Sequence, residues 1–84
     1  MARVILQSDV ARRFADGETE HEFHADNVRR LIKAMDERFP GIGKHLSNKT
    51  AIAIDGEIFQ DPLLEPIEPS SEVYFLPMIE GGSA

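Results

Sequence analysis

The sequence contains no cysteine, which removes disulfide frameworks, thiolate zinc sites and cysteine nucleophiles together. No apolar stretch approaches the roughly 18 residues of a membrane span. Met1 leads within a few residues into Val4-Ile5-Leu6, without the basic region, long apolar run and small-residue cleavage site of a signal peptide. A cytoplasmic protein is expected. Lysine and arginine are missing altogether beyond Lys49. Residues 1–50 hold all nine basic residues and eight acids and sum to +1, whereas residues 51–84 hold seven acids and sum to −7.

The whole net charge of −6 therefore belongs to the second part of the chain. Such a balance repels phosphate backbones and anionic membranes, so neither nucleic acid nor a membrane is an expected partner. The acidic part reads either as a solvated face that keeps a small protein soluble or as a docking surface for a basic partner groove. With 84 residues there is room for one domain with a small core.

Along the chain, Arg3 to Val10 fits a buried strand, Asp16-Gly17 is a turn signal, and Glu18 to His24 reads as a polar partner strand anchored by Phe23, close to a sheet edge. Asp26 is a suitable N-cap for the helix that follows. Val28, Leu31, Ile32, Met35 and Phe39 form one stripe at helical spacing, opposite Arg29, Arg30, Lys33, Asp36 and Glu37. Pro40-Gly41 ends it, and Ile42 to Asn48 is a connector without a clear form. Thr50 to Ile54, the tight-turn dipeptide Asp55-Gly56 and Glu57 to Gln60 make a second hairpin. Pro62, Pro66 and Pro69 exclude regular structure between Asp61 and Ser71. Glu72 to Met78 is the last strand, with Val73 and Phe75 on one face and Tyr74, Leu76 and Met78 on the other.

The predicted order is β-β-α-β-β-β. If the first and last strands are central and parallel, a single helix crosses one face of a mixed sheet and buries its stripe there. The expected class is α+β, in a ubiquitin-like β-grasp arrangement.

Few residues suggest catalysis. His21 and His24 are three apart, so on one strand they point to opposite faces and cannot share an ion. Gly41-Ile42-Gly43-Lys44 lacks the spacing of a phosphate loop and follows a helix instead of opening one after a strand. No serine sits in a nucleophile elbow. No metal ligands, bound cofactor or catalytic residues are expected.

The end of the chain is more informative. Glu72-Val73-Tyr74-Phe75-Leu76-Pro77-Met78-Ile79-Glu80-Gly81-Gly82-Ser83-Ala84 places two glycines after a strand and a stiffening proline. Either it is a plain disordered terminus, or it is a tail thin enough to enter a narrow tunnel in another protein. The domain is expected over residues 1–80, with 81–84 as a flexible tail.

With the helix from Asp26 to Phe39 and the Ile54-Asp55-Gly56-Glu57 turn, this segment resembles the ThiS/MoaD family of small sulfur carriers. The resemblance runs from Val4 to Gly82 and implies a carrier that larger enzymes act on. It implies that a ubiquitin-activating-type adenylyltransferase uses ATP to adenylate the Gly82 carboxylate, with Gly81 as a slender neck, and that the acyl-adenylate becomes a thiocarboxylate sulfur donor. Phe59, Leu76, Pro77, Met78 and Ile79 are the candidate docking residues, although core packing is an equal reading for Phe59 and the preferred one for Phe75. Relatives generally end at Gly-Gly, whereas this chain continues with Ser83-Ala84. Some relatives are made with a short extension that a zinc-dependent JAMM-type peptidase trims, so Ser83-Ala84 reads either as such an extension, cut between Gly82 and Ser83 before activation, or as a remnant foreign to the natural chain, or as the end of a member that is never activated. A sulfurtransferase or a sulfur-accepting synthase would be a further partner. Two other readings share the fold: a ubiquitin-like modifier joined to lysines through Gly82, and an interaction module that is never conjugated.

Overall fold

A computed structural model describes residues 1–59 and 63–77. Five strands form one mixed sheet in the order β2-β1-β5-β3-β4: β1 (Ala2–Ile5), β2 (Glu20–Phe23), β3 (Thr50–Ile54), β4 (Glu57–Phe59) and β5 (Glu72–Pro77). β1 and β5 are parallel neighbours at the centre, with Val4 opposite Val73. β2 pairs antiparallel with β1 and forms an edge. β5 also pairs antiparallel with β3, from Thr50 opposite Pro77 to Ile54 opposite Val73. The α+β class and the parallel central pair agree with the sequence reading.

The helices differ from it. Among the described residues there are three: α1 (Ser8–Phe14), α2 (Val28–Arg38) and α3 (Ile42–Lys49). α1 interrupts the segment read as one strand to Val10, because β1 ends at Ile5 and Val10 and Ala11 are buried from a helix instead. The hairpin of β1 and β2 is therefore closed by a helix followed by the Asp16-Gly17 turn, in which both residues have positive φ. α3 occupies the supposed connector. It buries Ile42 and Leu46, one helical turn apart, and its start is secured by Asp36, whose Oδ1 accepts from the N–H of Gly41 at 3.1 Å and of Gly43 at 2.9 Å.

α2 buries Val28, Leu31, Ile32 and Met35 as its spacing predicts, and Phe39 is partly buried beyond its end. Its N-cap is Asn27, not Asp26: Asn27 Oδ1 accepts from the Arg30 N–H at 2.9 Å. Asp26 instead accepts the Ile67 N–H on its backbone oxygen. Residues 63–67 thus strap the start of α2, where Val28 and Arg29 donate to the carbonyls of Glu65 and Leu63. Between β3 and β4, Asp55 and Gly56 have φ of 50° and 88°, the left-handed pair that a two-residue hairpin demands.

The core lies between the helices and the inner sheet face, which contributes Val4, Phe23, Ile52, Val73 and Phe75. Burying side chains of this size contributes about 1.5–3 kcal/mol each. Ile67 and Ser71 are also buried, so the described part of the proline-containing segment, residues 63–71, packs although it has no regular structure beyond one bridge between Asn27 and Pro66.

Candidate functional site

β5 is hydrogen-bonded on both flanks, so the chain leaves the sheet from its centre. Proline is tolerated at the end of such a strand, where its missing donor interrupts no further ladder. Opposite Pro77, the Thr50 hydroxyl donates to the Leu46 carbonyl at 2.7 Å and ties the end of α3 to the start of β3. Gly81, Gly82 and Ser83, together with Met78 and Ile79, lie outside the described residues.

Around this exit the sheet's outer face is apolar. The strand registers set Ile58, Ala53, Tyr74 and Ile5 side by side in one row across four strands. The next row toward the exit brings Leu76 beside Ala51. Ile58 is 64% exposed and Tyr74 37%, while Ala53 is buried beneath them. Large apolar side chains gathered on an open sheet face mark an interaction surface more often than scattered ones do.

The row on the far side of Tyr74 is charged. There Arg3 stands between Glu22 and Glu72 in register. Its guanidinium reaches Glu20 at 3.0 Å and Glu72 at 3.3 Å. The hydrogen bond and charge of Glu20 hold the Arg3 pKa above its ordinary value, with a smaller contribution from Glu72. Among the described residues the outer face therefore combines an apolar centre near the exit with an acidic margin of Glu20, Glu22 and Glu72, against which stands Arg3. Such a surface suits a partner with an apolar patch bordered by basic residues.

Of the docking residues read from the sequence, Leu76 lies on this face. Phe59 does not: it is opposite Ile52 on the inner face and packs, partly buried, against the core. Phe75 is 1% exposed and belongs to the core as read. The sequence reading missed Ile58. A signal for it was present, because a two-residue turn at Asp55-Gly56 fixes the register and sets Ile58 opposite Ala53.

The other motifs resolve into structural roles. His21 is buried on the inner face, where its Nε2–H donates to the Glu18 carbonyl at 2.7 Å and its ring meets Phe39 edge-on at 5.1 Å. His24 is exposed, and His45 packs against Phe14 at 5.9 Å. Among the described residues no group of three or more His, Cys, Asp or Glu side chains could hold a metal ion. In Gly41-Ile42-Gly43-Lys44, the N–H groups that would cradle a phosphate are occupied by Asp36. No helix among the described residues is long and apolar enough to cross a membrane.

Comparison with known proteins accords with this architecture. The chain superimposes on CysO of Amycolatopsis orientalis, solved in complex with BexX, with a TM-score of 0.81 and 21% identity, over 98% of this chain and all of that one. For Mycobacterium tuberculosis CysO the TM-score is 0.83 at 17% identity, over 94% and 100% of the two chains. For small archaeal modifier protein 1 of Methanosarcina acetivorans it is 0.76 at 18%, over 96% and 95%. At these identities the likeness establishes the fold. No curated protein matches the sequence. The model of the ThiS family, however, matches residues 9–82. This span runs from α1 through every later element to the second glycine, so the chain belongs to the ThiS family of small, ubiquitin-like sulfur-carrier proteins.

Proposed function

We propose that this protein carries sulfur as a thiocarboxylate on Gly82, after Ser83-Ala84 has been removed. The observation that carries the reading is the family match, which continues to Gly82 itself. A carboxylate is a poor electrophile. An activating enzyme of the ubiquitin-activating type transfers AMP from ATP to it and releases pyrophosphate, and a sulfur nucleophile then displaces AMP. Glycine adds no bulk at the carbonyl, and the neck at Gly81 lets the end reach an enclosed active site. The JAMM-type peptidase supplies the free carboxylate, and a sulfurtransferase or sulfur-accepting synthase acts after activation. The outer face of Ile58, Tyr74 and Leu76 is the docking surface for the activating enzyme. We assign the carrier to the cytoplasm, where ATP for its activation is available.

Intact mass spectrometry of the protein purified from its own host tests the reading. A chain ending at Gly82 with one oxygen replaced by sulfur supports it. A chain that always ends at Ala84, with function retained when Gly82 is deleted, overturns it. The structural likeness to a small archaeal modifier favours one second reading, conjugation of Gly82 to lysines. Isopeptide-linked species in cells, without any thiocarboxylate, support that alternative.

A further inference from the structure

On the side of the molecule away from the outer sheet face, the solvent face of α2 borders a cleft of about 710 Å³. Its floor is Ala25 and Ala34, both half-buried, its rim carries Arg29, Arg30 and Lys33, and Leu64, 78% exposed, forms an apolar lip. We propose that this cleft docks an acidic peptide segment of a partner protein, extended along α2, with carboxylates on Arg29, Arg30 and Lys33 and an apolar residue against Leu64.

Three observations carry the proposal. First, the cations stand where the helix alone disfavours them. The first turn of α2 holds Arg29 and Arg30 and no acid, although the helix dipole favours negative charge there. Lys33 adds like charge at spacings of three and four, which is also unfavourable. Lys33 has Asp36 and Glu37 three and four residues on, but Arg29 and Arg30 have no acid at such a spacing ahead of them in α2, and a local rule broken in the first turn is a mark of function.

Second, none of the three has an ion-pair partner among the described residues, where both ion pairs belong to Arg3. Asp26 and Glu37 also line the cleft, so its net charge is positive only by the margin that three cations give over two acids. Third, the spacing fits. Arg29 and Lys33 are about 6 Å apart along the helix axis, close to the roughly 6.6 Å between alternate residues of an extended chain.

Other ligands fit less well. The backbone N–H groups of Val28, Arg29 and Arg30 are already bonded, to Glu65, Leu63 and Asn27, so a small anion gains no cradle from them. With alanines for its floor, the cleft lacks the apolar and aromatic walls that small-molecule pockets use.

The test is an NMR titration of the whole protein with an acetylated, amidated peptide carrying glutamate at alternate positions and one leucine. A serine-for-glutamate version, inorganic phosphate and a single-stranded oligonucleotide serve as comparisons. Shifts confined to residues 24–37 and 63–65, produced by the acidic peptide and weakened by salt, support the proposal. The R29E/K33E variant is expected to lose at least tenfold in affinity. It is also expected to be activated at its C-terminal end as before. Equal shifts around Arg12, Arg13 and Lys44, the same response to phosphate or the oligonucleotide, or unchanged affinity in the variant would overturn it.

Discussion

Asn27 and Asp36 each complete a helix start with one side chain. Asn27 caps α2 through the Arg30 N–H, and N27A is expected to cost about 1 kcal/mol, measured as a lower midpoint in urea. Asp36 reaches further and binds two N–H groups at the start of α3. The same contact leaves no room at Gly43, where a Cβ would lie 3.0 Å from both Cβ and Oδ1 of Asp36. Because that carboxylate is held by two bonds, G43A is expected to destabilise by about 1–3 kcal/mol, again by urea unfolding. The choice of cap was not legible in the sequence. Asp26 and Asn27 are both competent caps, and the contact that decides between them is the Ile67 N–H, which claims the Asp26 carbonyl from 41 residues away.

Among the elements, those with strong local signals were readable. The stripe of α2, the alternation of β5 and the dipeptide at Asp55-Gly56 each leave one physical solution. α1 and α3 do not. α1 has only seven residues, no side-chain cap, and follows directly from an apolar strand. α3 begins at Ile42-Gly43, where glycine disfavours helix and bonds from Asp36 in the preceding helix offset the deficit. For the candidate site, β5 was placed correctly with Leu76 on its outward face, but the row through Ile58 needed the registers of four strands at once. The two faces of β5 predict opposite responses. I58D on the outer face is expected to change stability by no more than about 0.5 kcal/mol while weakening binding to the activating enzyme, as isothermal titration would show. F75A, one residue from Tyr74 but facing inward, is expected to cost about 3–5 kcal/mol, a large share of the 5–15 kcal/mol available to a small domain.

For the molecule as a whole, charge and fold divide along the same line. The helices carry most of the basic residues, whereas among the described residues the sheet's outer face has Glu20, Glu22 and Glu72 against Arg3. The association rate with the activating enzyme is therefore expected to fall roughly tenfold or more from low to high salt, measurable by stopped-flow, with dissociation much less affected. The central position of β5 has a mechanical consequence as well. An enzyme that draws the chain beyond Pro77 into a tunnel pulls β5 along its own length. That strand is held by three register pairs to β1 and five to β3. The load falls on two ladders in shear, shared by many hydrogen bonds, and does not peel an edge strand open one bond at a time. The handle by which the protein is gripped is thus anchored at its strongest point, and tension on it can be borne without unravelling the domain.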